Sequence, residues 1–187
     1  MSDASNPLVP ELTASTGFAP VLGTDARVLI LGSLPGQRSL AAHQYYAHPQ
    51  NAFWPIMSSL LSLSGDYATR CAQLRQRQVA LWDVLRESVR PGSMDADIRL
   101  DTARANDFAA LVSACPELRL IAFNGKAAET LFRRLVLPGL ATDTITLVSL
   151  PSTSPAYAAM PFAEKRELWY QRLAGAIPLT RPETEIE

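Results

Sequence analysis

The chain is poor in the residues that build metal and redox centres, with 2 cysteines and 2 histidines among 187 residues. Cys71 and Cys115 stand far apart without metal-ligand spacing. That excludes an iron–sulfur cluster held by this chain alone and argues against zinc, so no metal and no cofactor are expected. Both thiols fall in or at the end of helical patterns and read as buried and free. No apolar run reaches membrane length and no signal-peptide pattern is present, so a cytoplasmic protein without membrane attachment is expected. An excess of one charge is also missing. The formal net charge of -1 gives no global argument for nucleic acid, which favours a basic chain. Arg38, Arg70, Arg75, Arg77, Arg133 and Arg134 remain as local contacts to DNA, although such clusters more often line solvated helix faces.

What is present is a regular alternation. Short apolar runs at 27–31, 79–84, 119–123 and 144–150 read as strands, and longer patterns at 53–63, 67–76, 104–114, 126–135 and 161–174 read as helices. Strands alternating with helices predict an α/β fold, a three-layer α/β/α sandwich around a central, mostly parallel four-stranded sheet. The length corresponds to one domain. Residues 1–24, with Pro7, Pro10 and Pro20, read as a loose arm, 25–178 as the domain and 179–187 as an acidic tail.

Three of the strands run into small polar residues and turn formers. Val28-Leu29-Ile30-Leu31 leads into Gly32-Ser33-Leu34-Pro35-Gly36, with Asn51-Ala52-Phe53-Trp54 following before a helix. Leu120-Ile121-Ala122-Phe123 leads into Asn124-Gly125-Lys126, and Thr146-Leu147-Val148-Ser149-Leu150 into Pro151-Ser152-Thr153-Ser154-Pro155. Each has an ordinary explanation. Asn51 suits a helix cap and Phe53 a core, Asn124-Gly125 suits a turn, and the hydroxyls of 152–154 suit local backbone bonds. In a parallel sheet, however, all three turns lie at one edge, where ligands of such folds bind.

A flat aromatic ring stacks on a planar base, and an Asn amide offers one donor beside one acceptor. Hypoxanthine and uracil present an acceptor carbonyl next to an N–H, whereas adenine and cytosine present the reverse order. A single Asn locked in one flip state therefore accepts deaminated bases and rejects their parents. The mismatch leaves buried groups unpaired at roughly 1–3 kcal/mol each.

On these segments, together with Tyr45-Tyr46-Ala47-His48-Pro49-Gln50-Asn51-Ala52-Phe53-Trp54, the chain resembles the uracil-DNA glycosylase superfamily. Within it, the chain resembles the hypoxanthine-DNA (deoxyinosine) glycosylase family. The similarity runs from about residue 27 to 170 and keeps motif order and spacing. It implies a monomeric base-excision repair enzyme that flips a damaged nucleotide out of DNA and cleaves its N-glycosidic bond with water. It further implies that Phe53 stacks on the flipped base, that Asn124 reads its Watson–Crick edge, and that Gly32, Leu34 and His48 complete the base site. Pro151, Ser152, Thr153, Ser154, Pro155 and Lys126 would meet the DNA backbone, and Tyr157 would serve as a wedge or as core.

Two departures from the superfamily pattern stand out. Ser33 occupies the position after the first glycine where many members carry Asp or Asn, and Ser152-Thr153-Ser154 replace a leaving-group histidine. A serine is a poor base without a partner. Both departures match the hypoxanthine branch, in which the residue at the position of Asn51 takes over catalysis, with Ser33 beside it. Asp83 is expected to be the only carboxylate near the edge, more a cap than a base. A weak uracil or mismatch glycosylase, a silent damage binder and a free-nucleoside hydrolase are the alternatives.

Overall fold

The computed structural model describes residues 13–181. In chain order its elements are β1 (Ala14–Thr16), β2 (Val28–Gly32), α1 (Gln37–Ala42), α2 (Phe53–Leu61), α3 (Tyr67–Gln76), β3 (Val79–Asp83), β4 (Leu85–Val89), β5 (Arg104–Ala105), α4 (Phe108–Ala114), β6 (Leu120–Asn124), α5 (Lys126–Leu135), β7 (Thr146–Leu150) and α6 (Phe162–Leu173). The four apolar runs pair in the order β3-β2-β6-β7, all parallel. Every residue of β2 and β3 is buried, as expected for a sheet covered by helices on both faces. The α/β sandwich is thus the fold.

Aromatic clusters tie the layers together. On α2, Phe53 meets Trp169 of α6 edge-on at 6.0 Å. Phe132 of α5 meets Phe108 of α4 at 5.2 Å and Phe123 of β6 at 5.1 Å. Glu129 of α5 is buried with three partners: Lys126 Nζ at 3.1 Å, Arg133 Nε at 2.9 Å and the Ser149 hydroxyl at 2.8 Å. Burial alone raises a carboxyl pKa, but these three hydrogen bonds outweigh it and lower that of Glu129 to about 2.

Two sequence expectations are corrected. Residues 104–114 are not one helix: Arg104–Ala105 is a strand, and Asp107 accepts from the Ala110 amide at 2.9 Å, so that its cap starts α4 at Phe108. The arm is not loose throughout, because Ala14–Thr16 pairs with β4, and Val21 exchanges backbone hydrogen bonds with Leu81 at 2.9 Å each way. A second sheet, β1-β4-β5, antiparallel and three-stranded, accompanies the parallel one. Of the tail, the Thr180 amide bonds the Leu60 carbonyl at 2.8 Å. The rest of the expected arm (1–12) and tail (182–187) lies outside the described residues. Among the described residues no helix is long and apolar enough to cross a membrane.

Candidate active site

Because β2, β6 and β7 are parallel, the turns after them meet at the C-terminal edge of the sheet. A cavity of about 270 Å³ opens there, at the small end for a ligand pocket. Its walls include Gly32, Ser33, Leu34, Tyr46, His48, Asn51, Asp83, Arg90, Asp95, Asn124 and the 152–156 loop.

The first wall is the 32–36 turn, whose carbonyls are held from behind. Gly32 O accepts from the Val84 amide at 2.8 Å and Ser33 O from the Leu85 amide at 3.0 Å. The Arg90 guanidinium donates to Leu34 O at 3.1 Å and to Pro35 O. Arg90 is a buried cation with Asp95 Oδ1 3.8 Å away. Gly32 must lack a side chain, since a Cβ there would stand 2.3 Å from Asp83 Oδ1 and 3.0 Å from Tyr46 Oη.

The second wall is β6 clasped to the loop after β7. Asn124 Nδ2 donates to Thr153 Oγ1 at 2.8 Å, and Asn124 Oδ1 accepts from the Thr153 amide at 2.9 Å. This pair of bonds locks the Asn124 flip state, the condition that reading one order of donor and acceptor requires. One N–H and one lone pair of the amide remain for a ligand. Gly125, at φ +94°, brings β6 against Ser152, where a Cβ would meet the Ser152 Cβ at 2.9 Å.

The third wall is aromatic, and here the ring differs from the expected one. Phe53 is fully buried and lies outside the cavity, with the Tyr46 ring stacked on it at 4.1 Å and 24°. Tyr46 faces the cavity instead. Its backbone is at φ +55°, a left-handed conformation uncommon for a bulky residue. Its hydroxyl is buried without a hydrogen bond of normal geometry. Burial, then the neighbouring Asp83 charge, raise the phenol pKa, against a smaller pull from Asn124. Sequence reading missed Tyr46 as the ring of the site because Tyr46 and Phe53 are both aromatic and flank the same Asn.

Asn51 caps α2 with its own carbonyl, Oδ1 accepting from the Phe53 amide at 2.9 Å. The cap fixes the amide and leaves Nδ2 and one Oδ1 lone pair for a ligand or water. His48 lies on the cavity wall, and its Nδ1 accepts from the Gln50 amide at 3.2 Å.

The loop after β7 divides in an unexpected way. Thr153 is buried, holds Asn124 and accepts from the Ala52 amide at 3.0 Å, so it is not free to meet a phosphate. Ser152 and Ser154 accept from backbone amides two residues on, each at 3.2 Å, the local bonding that short polar loops favour. Pro155 and Tyr157 are exposed, and Lys165 Nζ sits 5.2 Å from the Tyr157 ring centroid. Tyr157 and Lys126 stay outside the cavity, Lys126 being paired with Glu129. Of the arginines, Arg38 reaches the cavity, Arg70 packs on Trp54 at 4.6 Å and Arg133 bonds Glu129. Asp83 is not the only carboxylate at this edge. Asp95, carried in by the turn Asp95–Asp97, joins it on the cavity wall.

A parallel α/β sheet with a base-sized, amide-lined cavity at its C-terminal edge has the layout of an enzyme acting on a planar ligand. The family model described as the uracil DNA glycosylase superfamily matches residues 19–174, and the chain belongs to that superfamily. It is 35% identical over 157 residues to a hypoxanthine DNA glycosylase of Methanosarcina acetivorans, across 81% of this chain and 92% of that one. A hypoxanthine DNA glycosylase of Methanosarcina barkeri is 40% identical over 113 residues, 59% of this chain and 70% of its own. A solution NMR structure of a candidate uracil DNA glycosylase from Methanosarcina acetivorans matches with a TM-score of 0.67 and 32% identity, covering 85% of this chain and 98% of that one.

Proposed function

We propose that this member of the superfamily is a monofunctional DNA glycosylase that excises hypoxanthine from deoxyinosine and leaves an abasic site. The observation that carries the reading is the Asn124 amide, locked by Thr153 in a cavity that also holds the Tyr46 ring and Asn51. The two Methanosarcina relatives named as hypoxanthine DNA glycosylases support it.

The flipped base lies against Tyr46, with Phe53 backing that ring from below. Asn124 reads O6 and N1–H, and the amides of Ser33 and Leu34 meet the base carbonyl. The sugar becomes an oxocarbenium-like cation as the C1′–N9 bond opens. The work left to the protein is therefore to stabilise positive charge and hold a water, more than to deprotonate it early. Asn51, immobilised by its own cap, holds that water. The 151–155 loop presses on the DNA backbone with Ser152 and Ser154 toward phosphates, and the monomer suffices.

Free hypoxanthine and abasic sites should appear in equal amounts when a deoxyinosine duplex is incubated with the protein. No protein–DNA adduct should be trapped by borohydride, because among the described residues no lysine lines the cavity. Trapping of an adduct would refute the monofunctional reading, and absence of hypoxanthine would refute the activity.

Tyr46→Ala should weaken binding of an uncleavable deoxyinosine analogue by about 10–100-fold, the effect of losing one base–aromatic stack. Tyr46→Phe, which keeps the ring and deletes an unbonded hydroxyl, should bind within about threefold of the parent. Fluorescence anisotropy would read both. Equal binding by Tyr46→Ala would remove Tyr46 from the base site.

A further inference from the structure

Ser33 lacks basicity of its own, yet the fold supplies the partner that its position in the sequence does not. Its hydroxyl donates to Asp95 Oδ1 at 2.5 Å across 62 positions of sequence. Ser33 is buried at the end of β2, whereas the Asp95 side chain is about half exposed, and both line the cavity. The charged groups around Asp95 are Arg90, with NH1 3.8 Å from the same Oδ1, Asp83 in the same cavity, and Asp97 on its own turn. Lys126 shares a neighbouring groove with it but is bonded to Glu129.

A purely structural latch would be redundant here. The 32–36 turn is already held at four carbonyls by Val84, Leu85 and Arg90. What the Asp95 bond adds is the direction of the Ser33 proton. With that proton committed to a carboxylate, the Ser33 oxygen is left to the cavity as an acceptor.

We propose that Asp95 is a positioning residue of the glycosylase reaction, acting through Ser33 on the attacking water; this rests on the proposed deoxyinosine activity. Water bonds to C1′ as the C1′–N9 bond breaks, and that electron pair departs with hypoxanthine, which then takes a proton from solvent. The water's proton passes to Ser33 Oγ while the Ser33 proton passes to Asp95 Oδ1, and Asp95 afterwards returns it to solvent. Asn51 holds the same water from the α2 side.

The test is single-turnover cleavage of a deoxyinosine duplex by the whole protein and its variants, alongside affinity for an uncleavable analogue. Asp95→Asn should slow cleavage by about 10²-fold while affinity changes little, and Asp95→Glu should recover part of the rate. Ser33→Ala combined with Asp95→Asn should be no slower than the worse single variant, as expected of groups that act as a unit. Asp97→Asn, on the same turn, should cleave at the parental rate. An Asp95→Asn rate within threefold of the parent, or a double variant slower by the product of the two single effects, would overturn the proposal. An inactive parent would instead refute the deoxyinosine reading itself, and with it this assignment.

Discussion

Asn51→Ala is expected to lower single-turnover cleavage of deoxyinosine DNA by about 10²–10³-fold, the usual cost of one pre-positioned polar contact at the reacting centre. The amide is fixed before substrate arrives, because Oδ1 already accepts from the Phe53 amide at 2.9 Å. That bond means the alanine variant also loses a helix cap, worth about 1 kcal/mol. Asn51→Asp separates the two effects. A carboxylate still caps α2 and still accepts from water, so this variant should keep the parental Tm and cleave faster than the alanine form. Binding of an uncleavable analogue should change by less than tenfold in either. Asn51→Ala cleaving within threefold of the parent would remove Asn51 from the chemistry and leave it a cap.

The second large effect is on stability, and its sign depends on pH. Asp83 is buried at the end of β3, and its Oδ2 has no hydrogen-bond partner. Burial raises its pKa from an ordinary 3.8 to about 7; Arg90 pulls the other way, and Asp95 adds a smaller upward push. A folded-state pKa above the unfolded one means that the native protein binds the extra proton. The stability that this proton supplies is present in full below pH 3.8 and is lost as pH rises through about 7. Asp83→Asn, neutral at every pH, should therefore gain on the order of 2–4 kcal/mol over the parent at pH 8 and little at pH 4.5. Urea unfolding at the two pH values reads the difference between the proteins, so other titrating groups cancel. Equal differences at both pH values would show that Asp83 is ionised and satisfied in the native state.

The parallel sheet was legible because each of its strands is an apolar run that ends in turn formers, and burial on both faces demands such runs. The antiparallel sheet was not. Arg104–Ala105 is two residues long, too short for any periodicity. Leu85-Arg86-Glu87-Ser88-Val89 starts one residue after β3 and has three polar residues at its centre, so hydropathy gives it no run of its own. Helix α1, six residues with no side-chain cap bond, carries no start signal either.

For the site, the residues that end strands were legible and those that arrive from elsewhere were not. Gly32, Ser33, Asn51 and Asn124 stand where a strand stops or a helix starts, and the sequence marks them by local chemistry. Asp95 and Arg90 come from the segment that follows β4, and only the folded chain sets them beside Ser33 and Leu34. Tyr46 and Phe53 differ by which ring the left-handed backbone at Tyr46 turns toward the cavity, and hydropathy does not encode that. Thr153 belongs to a loop that its run of hydroxyls marks in the sequence, but its inward direction, toward Asn124, follows from burial alone.

The locked Asn124 amide should make this superfamily member accept deaminated bases in DNA and reject their parents. This is tested most directly by alkali-revealed strand cleavage of three matched duplexes, carrying a single deoxyinosine, deoxyuridine or deoxyadenosine. Abasic sites are expected in the deoxyinosine duplex and none in the deoxyadenosine duplex. Deoxyuridine, which offers Asn124 the same edge, should be cleaved more slowly because Ser33 and the 152–154 hydroxyls replace the groups of fast uracil excision. Cleavage of the deoxyuridine duplex alone, or of none of the three, would contradict this reading.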